Sequence, residues 1–212
     1  MTFSLLALSA DGSFMAAAGS TRFLAIGSAA PMVVPGVGAV WSQAFTNPQL
    51  RFEMIRALRR GESVEQAIAT VPLLDEGSAG RQVAVMDGRG SAAVFTGAET
   101  AEWHGAISAA GFSVQGNILV GPEVLDAMAA KLSVVPATED VRQFGERLIG
   151  VLQAGQDAGG DQRGRQSAVL LVGRSQWAEG EPESLVIDLR VDDHPDPVPE
   201  LRRLLDLWVP RA

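Results

Sequence analysis

A chain of 212 residues that is 47% hydrophobic and 20% charged has material for a full core, and with no linker-like tract a single domain over residues 1–212 is expected. Its formal net charge of -8, with Lys131 as the sole lysine, argues against a nucleic-acid-binding surface, which needs clustered cations. The absence of cysteine excludes a disulfide framework, a thiolate nucleophile and a Cys-type zinc site, and a cytoplasmic location is expected.

Taken in order, Thr2 to Leu8 and Ser13 to Ser20 read as strands of a hairpin turned at Asp11-Gly12. The early apolar run has no basic residue before it, the first cation being Arg22, so it reads as a strand and not as a signal segment. Phe23 to Leu50 carries no charge, but Pro31, Pro35, Gly36 and Gly38 interrupt it. Two short buried strands, Val33-Val34 and Val37 to Phe45, are therefore expected in place of a membrane span. From Pro48 the apolar period becomes helical through Leu50, Met54, Ile55 and Leu58, and Gly61 stops it. Ser63 and Gln66 have capping-box spacing for a second helix to Val71.

Gln82 to Met86 and Ser91 to Thr96 then flank the turn Asp87 to Gly90. Gly111 to Leu119 forms a further strand region, and Pro122 opens a helix to about Leu132. Thr138 is the expected N-cap of a long helix with the stripe Val141, Phe144, Leu148, Val151 and Leu152. A loop of glycines and polar residues follows, Gly159 to Ser167. Ala168 to Val172 and Leu185 to Leu189 make a last hairpin about the turn Ser175 to Pro182, and a helix burying Val198, Leu201, Leu204, Leu205 and Trp208 ends the chain. Hairpins that alternate with helix pairs imply an α+β fold of two packed, mainly antiparallel sheets with helices outside.

Several catalytic patterns are missing from the sequence: G-x-S-x-G, the Walker P-loop, H-E-x-x-H and G-x-G-x-x-G. Lys131 lies late in a helix, where a solvated C-terminal charge is expected. His104 reads as a hydrogen-bonded strand or turn residue. The run Asp192-Asp193-His194-Pro195-Asp196 has donors for a divalent cation, but it also suits a stiffened turn before the last helix. The remaining candidate nucleophile is Thr2. An N-terminal threonine exposed by methionine removal uses its own α-amine as general base. An α-amine of pKa about 7.7–8.0 is appreciably neutral near pH 7, whereas a lysine at about 10.4 is not.

The segments Thr2-Phe3-Ser4, Gly36 to Val40 with Gln43 and Asn47-Pro48, Arg81-Gln82, Ser113 to Asn117 and Gly159 to Ser167, with Arg190 to Pro197, resemble the DUF1028 family across nearly the whole chain. That family is assigned to the N-terminal nucleophile (Ntn) hydrolase superfamily, so the resemblance implies an αββα sandwich and amide hydrolysis without metal or other cofactor. It implies Thr2 as nucleophile, Asn117 with backbone N–H groups at the oxyanion, and Asp161 and Arg163 orienting the amine or a substrate carboxylate. Gln43, Arg81, Gln115, Gln166 and Ser167 are expected as polar substrate-binding residues. The expected partner is a small amide or short peptide, with neither nucleic acid nor membrane involved and a homo-oligomer allowed. A catalytically silent ligand-binding or assembly module on the same fold is the alternative.

Overall fold

In the computed structural model, which describes residues 2–176 and 184–209, strand β1 (Thr2–Leu8) pairs antiparallel with β2 (Phe14–Thr21) about the Asp11-Gly12 turn. Gly12 takes φ 73° there, a left-handed conformation that strains any side chain. The Asp11 carboxylate ties the turn by accepting from Ser13 Oγ (2.5 Å), Ser13 N (2.9 Å) and Ser9 Oγ (2.7 Å). These donors, the Ser13 hydroxyl foremost, lower its pKa from 3.8 to about 2.

The chain continues through α1 (Ile26–Ala29), β3 (Pro31–Val34), β4 (Gly38–Ala44), α2 (Gln49–Arg59), α3 (Val64–Ala69) and α4 (Val71–Leu74). Next come β5 (Arg81–Asp87), β6 (Ala92–Thr96), β7 (Gly105–Ala109) and β8 (Phe112–Asn117). The last elements are α5 (Glu123–Leu132), α6 (Val141–Asp157), β9 (Ser167–Arg174), β10 (Ile187–Val191) and α7 (Pro197–Leu207). A six-stranded sheet has the order β10-β9-β2-β1-β8-β7, and a four-stranded sheet has the order β3-β4-β5-β6, with every pairing antiparallel.

Alternation along the strands builds three apolar layers. Phe3, Leu5 and Ala7 of β1 face Met128, Phe144 and Leu148 of the helices α5 and α6. Leu6 on the opposite face of β1, with Met15 and Ala17 of β2, meets Trp41, Ala84 and Met86 of the smaller sheet. Outside that sheet Val40, Val83 and Val85 pack on Leu50, Met54 and Val64 of α2 and α3. The layers therefore run helix, sheet, sheet, helix, as the sequence pattern and the family resemblance both imply. Among the described residues no helix is long and apolar enough to cross a membrane.

Elements α6, β7 and α1 differ from expectation, as does α4, a separate helix where the second helix was expected to end at Val71. The long helix α6 is capped by Asp140, not Thr138: Asp140 Oδ1 accepts from Gln143 N (2.8 Å) and Gln143 Oε1 accepts from Asp140 N (2.9 Å). The box needs a side-chain acceptor three residues on, and from Thr138 that position holds Val141, which has none. Strand β7 is an edge strand of small, half-exposed residues with no apolar period, so the sequence pattern missed it. The uncharged stretch from Phe23 also includes the one-turn helix α1 besides its two strands. The expected turn Ser175 to Pro182 extends beyond the described residues at 177–183.

Candidate active site

The layer between the two sheets changes character along its length. Beyond Trp41 and Met86 the same inward-facing positions become Ser4, Gln43, Gln82, Gln115 and Asn117, all buried. Such side chains are tolerated only when paired. Ser113 Oγ donates to Gln115 Oε1 (2.8 Å), Gln115 Nε2 to Ser4 Oγ (2.8 Å), Ser4 Oγ to Gln43 Oε1 (2.9 Å) and Gln43 Nε2 to Gln82 Oε1 (2.6 Å). Gln82 Nε2 completes the series on Thr96 Oγ1 (3.0 Å) and the Gly105 carbonyl (3.1 Å). Asn117 Nδ2 makes a long bond to Gln82 Oε1 (3.4 Å), and the buried Asn117 Oδ1 has no partner.

At this polar end the strand register sets Thr2 opposite Asn117 on β8, while the β2–β9 pairing sets Thr21 opposite Ser167. Thr2 Oγ1 donates to Thr21 Oγ1 (3.2 Å). Both threonines and Asn117 border a cavity of about 480 Å³, within the usual size range of small-molecule pockets. Its apolar wall includes Phe23, Ile26, Phe45 and Ile118, and Arg163 is the charged residue among the described lining.

Backbone strain gathers here too. Ala25, Ala44 and Ile118, at φ 51°, 69° and 52°, are the non-glycine residues with positive φ among those described. Ala44 and Ile118 line the cavity, and Ala25 lies between the lining residues Phe23 and Ile26. Each such residue costs about 1–3 kcal/mol, and strain of this kind concentrates at functional sites.

The residues singled out from sequence divide by location. Thr2, Asn117 and Arg163 meet at the cavity. Asp161 supports its wall: it accepts from Arg22 N (2.8 Å), Arg163 N (2.8 Å) and the Arg163 guanidinium, whose Nη2 lies 3.2 Å from Oδ2. Gly160 at φ 57° and Gly164 at φ 107° let the loop curl around that carboxylate. Ser167 Oγ donates to the Phe23 carbonyl (2.5 Å) and accepts from Ile26 N (3.2 Å), so it fixes two wall residues from behind.

Gln43 and Gln115 belong to the buried network, not to the described cavity lining. Arg81 pairs with Asp75 (2.9 Å) and donates to the Phe45 carbonyl, bracing the opposite wall. Arg81 and Asn47 donate to the Asp75 carboxylate and lower its pKa. Gln166 turns away: its N–H donates to the Thr21 carbonyl (2.9 Å), its carbonyl accepts from His194 N (2.8 Å), and its side chain bonds Asp193 (3.2 Å).

The run Asp192 to Asp196 is committed to turn contacts, including Arg165 to Asp196 (2.6 Å) and Asp196 N to His194 Nδ1 (3.0 Å). Among the described residues no group of three or more His, Asp or Glu is placed to hold a metal ion. Lys131 sits in the last turn of α5, as expected. His104 was expected to be hydrogen-bonded, yet its Nδ1 is buried without a partner, and the residue lies away from the described cavity lining.

Sequence reasoning passed over Thr21 and Gln82. Each had a signal. A hairpin centred between Asp11 and Gly12 brings Thr2 opposite Thr21, and alternation along β5 puts Gln82, not Arg81, on the face of Ala84 and Met86.

An αββα sandwich whose inter-sheet layer turns polar and opens into a strained cavity defines the class of protein. The sequence matches the family of unknown function DUF1028 over residues 2–201, and the chain belongs to that family. The crystal structure of protein SPO2555 from Silicibacter pomeroyi, of the same family, is 32% identical with a TM-score of 0.84, covering 97% of this chain and 85% of that one. Anbu (ancestral beta-subunit) from Yersinia bercovieri aligns over 98% of this chain and 93% of its own at 12% identity and a TM-score of 0.43. No curated protein matches the chain.

Proposed function

We propose that this chain is an Ntn-type amidohydrolase that cleaves a small amide or short peptide with the Thr2 hydroxyl, once removal of Met1 leaves Thr2 with a free α-amine. The observation that carries this reading is the position of Thr2: a buried hydroxyl at the end of a central strand, bordering the cavity with Asn117 beside it. In the proposed reaction Thr2 Oγ1 attacks the amide carbon as its proton passes to the α-amine, which acts as general base. The tetrahedral oxyanion is held by Asn117 and neighbouring backbone N–H groups; the 3.4 Å bond from Asn117 Nδ2 to Gln82 is long enough to be exchanged at little cost. The ammonium returns the proton to the leaving nitrogen as the C–N bond breaks. Water then attacks the ester as the amine takes its proton, and that proton passes to Thr2 Oγ1 as the C–O bond breaks, releasing the acid and restoring Thr2.

Intact-mass measurement of the purified protein and a screen of amides and dipeptides test this directly. Removal of Met1 and loss of turnover in Thr2→Ala, with an unchanged melting temperature, are the expected results. Stoichiometric retention of Met1, or wild-type turnover by Thr2→Ala, overturns the assignment.

A further inference from the structure

We propose that the substrate carries a carboxylate next to an apolar group, the carboxylate bound by Arg163 and the apolar group seated between Phe23 and Phe45. The proposal rests on the hydrolase reading only in placing the scissile amide at Thr2. The cavity holds one kind of formal charge: Arg163 is the ionised side chain in its described lining, where Thr2, Thr21, Thr46 and Asn117 are neutral. Its guanidinium is held from the loop side by Asp161, whose side chain is 2% exposed against 43% for that of Arg163. The Arg22 guanidinium donates to the Arg163 carbonyl (2.7 Å) and so helps to fix the loop that carries it. The ionised side chain in the described lining is thus a cation, in a chain of net charge -8. That arrangement favours a monoanion and disfavours a cationic amine.

The remainder of the wall recognises a different chemistry. Phe23 and Phe45 are 58% and 73% exposed although both line the cavity, and Ile26 and Ile118 line it with them. Rings left this open beside a polar site offer apolar area to a ligand that covers them. An N-acyl amino acid with an aliphatic side chain satisfies all three requirements: an amide, a carboxylate on the amine-derived half and an apolar group.

N-acetyl-L-leucine and N-acetyl-L-leucinamide, which differ in that charge alone, are the probes. Their binding is read by calorimetry on the Thr2→Ala protein, so that chemistry does not enter. The carboxylate is expected to bind about tenfold or more tightly than the amide. Arg163→Met is expected to erase that preference and Arg163→Lys to retain part of it, since an ammonium keeps the charge but loses the bidentate fork. Equal binding of the two probes, or no binding of N-acetyl-L-leucine, overturns the proposal. So does undiminished discrimination in Arg163→Met. Should the Arg163 variants fail to fold, Phe23→Ser and Phe45→Ser are read on the same probe, and unchanged affinity in both counts against the proposed seat. Selective binding with no release of leucine by the Met1-free wild type supports the carboxylate site while counting against Thr2 as a nucleophile.

Discussion

Gln82 shows how one side chain organises a site without bordering its cavity. Its Oε1 receives Gln43 Nε2 and Asn117 Nδ2, and its Nε2 donates to β6 and to the Gly105 carbonyl. Gln82→Leu keeps the volume but leaves Gln43 Nε2 buried without an acceptor, and each group so stranded costs about 1–3 kcal/mol. Thermal unfolding of that variant should show a clear loss of stability, and on the proposed hydrolysis kcat should fall more than KM changes, because Asn117 is no longer oriented. Asp75 permits a test by pH. Its carboxyl is held below 3.8 by Arg81 and Asn47, so the folded state binds this proton less readily than the unfolded chain does. The stabilisation is present above that value and is lost as pH falls through the lower folded pKa. Asp75→Asn should therefore melt below the wild type at neutral pH, with the gap narrowing in scans taken below pH 3.8.

Element boundaries were legible where a local motif dictated them and obscure where only tertiary pairing did. The capping box at Ser63 and Gln66 is visible in sequence and present in α3. The box at Asp140 and Gln143 has the same spacing, and it prevails over Thr138, a good capping residue that lacks the partner three positions on. Asp140→Ala should cost about 1 kcal/mol in denaturant unfolding, the usual loss of a cap, while Thr138→Ala should fall within measurement error. Strand β7 could not be read at all. Its residues lie on an edge, half exposed, and they become a strand only because β8 offers a free side. The site divides along the same line. Thr2, Asn117 and Arg163, singled out by chemistry and family resemblance, border the cavity, whereas the places of Thr21 and Gln82 follow only from register and parity across strands.

At the scale of the molecule, the site depends on how closely the two sheets approach. Trp41 of the smaller sheet is fully buried between them, and a Cβ built on Gly19 of the larger sheet would lie 2.3 Å from its Cη2. Glycine is thus required at position 19 by a ring on the facing sheet and not by its own turn geometry. Gly19 and Thr21 share a face of β2, and Trp41 and Gln43 share a face of β4. The wedge therefore sets the distance across which Thr21 and Gln43 face the polar end. Gly19→Ala must push the ring or the sheet aside, an overpacking cost of about 1–3 kcal/mol, and should lower both melting temperature and turnover. Trp41→Phe removes the clashing atoms along with an indole N–H that is buried without a partner, so its own cost should be smaller than that of a large-to-small core change. If the sheets are gauged by this contact, Gly19→Ala with Trp41→Phe should recover stability relative to Gly19→Ala alone. A double-mutant cycle should give a coupling above about 0.5 kcal/mol, the level that separates touching residues from independent ones. Additive losses would mean that the spacing is set elsewhere in the layer, with Met86 or Leu6 the next places to look.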